Sequence, residues 1–109
     1  MPNGYAGRIL HVNLTTETMT VETPEAGFYR KYVGGSAMGL YYLLRDLPAG
    51  VDPLDPRNIL TLMLSALTGA PISGQSRMTA NAKSPLTYGI ADSQTGGFFP
   101  AEMKAAGFD

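Results

Sequence analysis

The sequence predicts an α+β fold, with antiparallel-rich sheets and a few short helices, on three observations. Apolar residues alternate on either side of a polar turn near the N-terminus. Two stretches of helical spacing meet at Gly34-Gly35, and strand-like runs in the second half are separated by loops rich in Gly, Pro and Ser.

Residues 8–14 read R-I-L-H-V-N-L, which places Leu10, Val12 and Leu14 on one face of a strand. Thr15-Thr16-Glu17 supplies a polar turn, and Met19 and Val21 resume the alternation, so a β-hairpin is expected. His11 lies inside this strand as the single histidine, a structural or surface residue, because one imidazole does not build a metal site. Thr23-Pro24-Glu25 opens a helix, with Thr23 as its cap and Pro24 at its first position. Phe28, Tyr32 and Val33 follow at helical spacing until the two glycines stop it. Ser36 is the expected cap of a second helix over residues 37–47, with Leu40, Leu43, Leu44 and Leu47 as its apolar stripe and Pro48 as its end.

Residues 48–57 hold three prolines, and Asp52 and Asp55 as turn formers, which makes them a rigid surface connection. Residues 58–65, N-I-L-T-L-M-L-S, are apolar at nearly every position and predict a strand buried on both faces. A loop over residues 68–76 precedes two short strands, 77–83 and 87–93, separated by Ser84-Pro85-Leu86. Residues 100–106 predict a last helix, with Ala101, Met103 and Ala105 available for packing.

Composition excludes several function classes. Eight basic residues against 9 acidic ones leave a net charge of -1, and no basic block offers the cationic footprint that nucleic acid requires. Without cysteine, these residues hold no disulfide, Cys-ligated zinc or Cys-ligated iron–sulfur cluster. The N-terminus lacks the pattern of a signal peptide, and the apolar stretch 59–67 is too short to span a bilayer and is broken by Thr61 and Ser65. The expectation is a cytoplasmic protein that binds neither membrane nor nucleic acid. A charged fraction of 16% is low for so small a domain, which suggests that part of the surface is covered by something else.

No dinucleotide-binding or Walker pattern is present, and no Ser-His-Asp set suggests itself around a lone histidine. Two turns carry the chemistry instead. Gly74-Gln75-Ser76 precedes Arg77, and Ser93-Gln94-Thr95-Gly96-Gly97 precedes the last helix. Both present backbone groups with little side-chain obstruction, and Gly96 falls where a positive φ is expected. Arginine offers a planar fork for a phosphate or the polar edge of a heterocycle, and the dipole of the following helix favours an anion. The pattern reads either as a cradle for a phosphate or pterin, or as ordinary tight turns beside a surface arginine.

A resemblance sharpens this. Gly7-Arg8, Val12-Asn13-Leu14-Thr15-Thr16, Val33-Gly34-Gly35, Val51-Asp52-Pro53-Leu54, Leu67-Thr68-Gly69, Lys83-Ser84-Pro85-Leu86-Thr87, Gly96-Gly97-Phe98-Phe99, Glu102-Met103-Lys104 and Ala106-Gly107-Phe108-Asp109 together resemble the aldehyde:ferredoxin oxidoreductase family. Each motif is short; their order and spacing along the whole chain carry the likeness.

The resemblance implies that residues 1–109 are the first part of an N-terminal domain. Two β-sheets of that domain form the base for a bis-pterin cofactor of tungsten or molybdenum. Later domains carry the cysteines of a [4Fe–4S] cluster and much of the substrate cavity. Arg77 matches a cofactor contact, and the turn of Gln94, Thr95 and Gly96 matches a second. There a main-chain oxygen helps hold the magnesium that bridges the two pterin phosphates. The residue is asparagine in the best-known members and Gln94 here.

The implied parent oxidises aldehydes to carboxylic acids and passes electrons through the cluster to ferredoxin; this segment alone is not expected to catalyse. Its expected partners are the remainder of the parent and, for the isolated chain, another copy, paired through residues 59–64 and the last helix with Phe98, Phe99 and Met103. Two alternatives remain: a relative acting on aromatic acyl substrates, and a small non-catalytic α+β module for binding or dimerisation.

Overall fold

The computed structural model describes residues 3–109. Eight elements follow in order: β1 (Ile9–Asn13), β2 (Thr18–Glu22), α1 (Ala26–Tyr32), α2 (Gly35–Asp46), β3 (Thr61–Met63), β4 (Met78–Lys83), β5 (Ile90–Thr95) and α3 (Phe99–Ala105). The strands make two antiparallel sheets, a β1–β2 hairpin and a three-stranded β3–β4–β5 sheet. The α+β reading therefore holds, with β4 central between two edge strands.

The core gathers Ile9 from the hairpin, Tyr29 from α1, Met38 and Tyr42 from α2, and Met63 from β3, with Tyr5, Phe28, Tyr32 and Tyr41 packed around them. The aromatic rings run as a continuous series, from Tyr5–Tyr29 at 4.5 Å between centroids to Tyr42–His11 at 5.4 Å. Offset and edge-to-face pairs at such spacings add to simple area burial.

α2 lies against the β3–β4 face through its smallest residue. A Cβ on Gly39 would stand 2.7 Å from Thr61 Oγ1 and closer still to Asn81 Oδ1, so only glycine permits this approach. Asn81 is buried, and its amide nitrogen donates to the Ala91 carbonyl at 3.2 Å and to Asp92 at 2.9 Å. The Ser36 hydroxyl also donates to Asp92. These two donors, serine first, hold the Asp92 carboxyl below its ordinary range.

Several local expectations change. Glu25 and Gly34 are the N-caps of α1 and α2 and neither makes a side-chain cap bond, so Thr23 and Ser36 do not cap; Ser36 serves Asp92 instead. The buried face of α2 is Met38, Gly39, Tyr42 and Leu43, while Leu44 is 80% exposed, because close packing at Gly39 fixes the rotation of the helix. The strand expected over residues 58–65 shortens to three residues. Asn58 turns its amide to the Pro53 and Lys83 carbonyls, and Ser65 enters a turn with Thr68. That run is also largely covered: Thr61, Met63 and Leu64 are buried, and only Leu60 is broadly exposed.

The C-terminal segment holds a buried ion pair whose remaining hydrogen bonds tie it to the N-terminal segment. Lys104 Nζ meets Asp109 Oδ1 at 2.8 Å, with side-chain exposures of 13% and 1%. The ammonium also donates to the Gly4 and Ser65 carbonyls, at 2.9 and 3.0 Å. The Asp109 carboxylate accepts from the backbone N–H groups of Ala6 and Gly7, at 2.8 and 2.6 Å. Both charges are thus hydrogen-bonded on every side, the condition under which burying them is tolerable.

Candidate functional site

The register of β4 with β5 builds a site at one end of the sheet. Met78 opposes Thr95, so the residue entering β4, Arg77, and the residue leaving β5, Gly96, emerge side by side. The approaching loop is fixed by its own bonds. Gln75 Oε1 accepts from the Gly69 N–H at 2.6 Å, Thr68 Oγ1 donates to the Arg77 carbonyl at 3.2 Å, and the Arg77 N–H donates to the Gln75 carbonyl at 2.8 Å. The Ser76 hydroxyl donates to the Gly97 carbonyl and closes the two loops on each other.

Between them lies a cleft of about 550 Å³, lined by Gly74, Gln75, Ser76 and Arg77 on one side and by Gly96, Gly97, Phe98 and Ala101 on the other. Gly74 and Gly97 hold positive φ, +76° and +93°, and a Cβ on either would meet nothing within 4 Å. The backbone there is open to whatever enters. Gly96 does not share that conformation, since the positive-φ glycine of this turn is Gly97. A side chain at Gly96 would instead meet the Ser76 carbonyl at 3.4 Å.

Arg77 is exposed and, among the described residues, makes no ion pair; the five ion pairs present use other cations. A guanidinium without a carboxylate partner at the mouth of a cleft is available to an anionic ligand. Gln94 and Thr95 are the last two residues of β5, both exposed, opposite Thr79 and Met78. They lead into the cleft without lining it. The structure thus brings together Arg77 and Gly96 of the four residues singled out by sequence. It adds Phe98 and Ala101 as a wall, residues that the sequence placed beside the turn and on the last helix without assigning them to the site.

None of the residues lining the cleft is an acid or a histidine. Among the described residues, no three His, Cys, Asp or Glu side chains gather as a metal site. No helix of the described residues is long and apolar enough to cross a membrane. A free guanidinium and two unobstructed glycine backbones suit an anionic group such as a phosphate.

Comparison with known proteins identifies the family of the chain. The family model described as the N-terminal domain of aldehyde ferredoxin oxidoreductase matches residues 9–109. The tungsten-containing aldehyde ferredoxin oxidoreductase of Pyrococcus abyssi is 42% identical over 106 residues, 97% of this chain and 18% of the relative. The aliphatic sulfonate oxidoreductase, WOR-like subunit, of Pyrococcus furiosus is 32% identical over 96% of this chain and 17% of its own length. Among solved structures, the active site complex BamBC of benzoyl coenzyme A reductase with 1,5-dienoyl-CoA superposes with a TM-score of 0.91. Identity there is 31%, over 100% of this chain and 17% of that one. The chain thus spans less than one fifth of the length of these relatives, and by the match over residues 9–109 it belongs to the aldehyde ferredoxin oxidoreductase family, in its N-terminal domain.

Proposed function

We propose that this chain forms part of the base that holds a tungsten bis-pterin cofactor, within a longer oxidoreductase that converts aldehydes to carboxylic acids and hands electrons through a [4Fe–4S] cluster to ferredoxin. The observation that carries the reading is the unpaired Arg77 beside the Gly74 and Gly97 backbones in a cleft of about 550 Å³. The tungsten-containing relatives support the choice of metal.

When bound, the cofactor supplies the two-electron redox chemistry, and the protein supplies position and electrostatics. Arg77 directs its planar fork at a phosphate or at the polar edge of a pterin. Gly74 and Gly97 leave room for ring or phosphate to approach the main chain. The bonds from Ser76 to Gly97 and from Gly69 to Gln75 hold both loops in place before the cofactor arrives, which lowers the ordering cost of binding. Beside the cleft, at the end of β5, the Gln94 main-chain oxygen would help hold a magnesium ion, a role that a main-chain oxygen serves in glutamine as well as in asparagine.

A second reading changes the substrate and keeps the base. The likeness to the benzoyl coenzyme A reductase complex is as complete along the chain as that to the aldehyde enzymes, so an aromatic acyl substrate is the alternative. Residues outside this segment decide between them.

The test is Arg77→Ala in the full-length protein. A charge-assisted hydrogen bond contributes roughly 1.5–3 kcal/mol, so tungsten per purified polypeptide should fall about tenfold or more with folding intact. Unchanged tungsten content would remove Arg77 from the site.

A further inference from the structure

The β1–β2 hairpin is amphipathic in the wrong direction for a free surface element. Leu10 pairs with Val21 and Val12 with Met19, and with Leu14 these side chains make one face. That face points away from the protein: exposures are 38% for Leu10, 53% for Val12, 85% for Leu14, 71% for Met19 and 52% for Val21. On the opposite face His11 and Glu22 turn inward at the base of the hairpin, while Asn13, Thr18 and Thr20 are exposed. His11 Nε2 meets Glu22 Oε2 at 2.8 Å, Tyr42 Oη donates to Glu22 Oε1 at 3.3 Å, and Arg45 Nη1 reaches the same carboxylate at 3.3 Å. Ile9 adds the one buried apolar contact on that side. A slip of one residue would exchange the faces but would break every bond to Glu22, so the orientation is fixed.

We infer that the outer face of this hairpin is a docking surface, and that its occupant is an apolar element from the remainder of the longer polypeptide. This rests on the reading that the chain is one segment of a larger enzyme. Relatives carry more than four fifths of their length beyond the matched region, which supplies ample chain to cover it. The face holds no charged side chain, so the matching surface is apolar. Five side chains on a two-stranded ribbon fall well short of the roughly 800 Å² and 20–30 residues per partner of a stable association between separate molecules. A segment already tethered in the same polypeptide avoids the cost of lost translational freedom and needs no such area. A lone two-stranded hairpin is also marginal without packing, so this cover completes the hairpin itself.

The experiment places single cysteines in the native full-length polypeptide, Val12→Cys and Met19→Cys on the face and Thr16→Cys in the turn, and follows maleimide labelling peptide by peptide. Labelling at positions 12 and 19 should be at least tenfold slower than at 16 and insensitive to dilution. Because a variant can misfold, oxidation of Met19 in the unsubstituted protein is measured beside it, with buried Met38 as reference. Met19 should react as slowly as Met38. Labelling at all three positions at one rate together with rapid oxidation of Met19 overturns the inference. So does protection that disappears on dilution, which would assign the face to a second copy. No step involves the cleft, so unchanged tungsten in Arg77→Ala would sink the cofactor reading and leave this one standing.

Discussion

Replacing Gly39 with alanine sets two well-understood effects against each other. Alanine is favoured over glycine inside a helix by about 1 kcal/mol, so propensity alone says Gly39→Ala stabilises α2. The structure says otherwise. The new methyl would sit 2.7 Å from Thr61 Oγ1 and nearer still to Asn81 Oδ1. Neither group retreats freely: Thr61 donates to the Asn81 carbonyl at 3.3 Å, and the Asn81 amide is held by Ala91 and Asp92. Overpacking costs about 1–3 kcal/mol, and freeing a buried amide costs about 1–3 kcal/mol more. Subtracting the propensity gain leaves a net loss of about 1–5 kcal/mol. Gly27 in α1 is the control, exposed and with nothing within 4 Å of its would-be Cβ. Gly27→Ala should stabilise by about 0.5–1 kcal/mol. Urea unfolding of the two variants beside the parent gives the signs, and amide exchange along α2 locates the effect. A Gly39→Ala protein as stable as the parent would refute the packing argument.

Other outcomes follow from buried polar groups. Lys104→Met strands the Asp109 carboxylate and should cost about 3–5 kcal/mol, with the Lys104→Met/Asp109→Asn double variant less harmful than the sum by about 1–3 kcal/mol. A double-mutant cycle by thermal unfolding measures this, and simple additivity would show that the pair is not coupled. Tyr29 Oη is buried with no hydrogen-bond partner, although Asp109 lies near enough to disfavour its ionisation; Tyr29→Phe should therefore be neutral or stabilising by about 1 kcal/mol. Burial, and then Asp109 for Tyr29 and Glu22 for Tyr42, raise both phenols above their ordinary value of 10.0. Because the folded values exceed the unfolded ones, this stability is complete below pH 10.0 and lost as pH rises through the folded values. Tyrosinate absorbance should show these two ionising only above pH 10.0, with alkaline unfolding; their ionisation at or below pH 10.0 in the folded protein would contradict the burial.

The hairpin was legible in the sequence because alternation in strands is a local property: Leu10, Val12, Met19 and Val21 share a face whatever surrounds them. Which way that face points was not, since it depends on Glu22 meeting His11, Tyr42 and Arg45 across the fold. In α2 the leucines suggested a stripe, yet a glycine sets the rotation, and glycine leaves no mark in a count of apolar residues. The second strand of the site began later than expected because Thr87, Tyr88 and Gly89 form a turn, with Tyr88 at φ 59°. Arg77 and Gly96 stood out in the sequence as members of two glycine-containing turns; that the turns lie side by side depends on the register of β4 with β5. The wall of Phe98 and Ala101 depends on the direction of α3, and the burial of Asp109 on the backbone of Ala6 and Gly7, 103 and 102 residues away; neither has a local signature.

That long reach governs when the domain can form. Asp109 binds the backbone of Ala6 and Gly7, separated from it by 103 and 102 residues. Contacts of such separation form late, because the intervening chain must first be ordered. At a synthesis rate of about 5–20 residues per second, the first residues wait roughly 5–20 s for residue 109 to be made, and longer for it to clear the ribosome. Until then Lys104 has no counter-ion and the N-terminal segment no anchor. The hairpin and the α1–α2 pair can take shape meanwhile, but the ends meet only when the last turn of α3 is free. This stretch of polypeptide therefore closes once, near the end of its own translation.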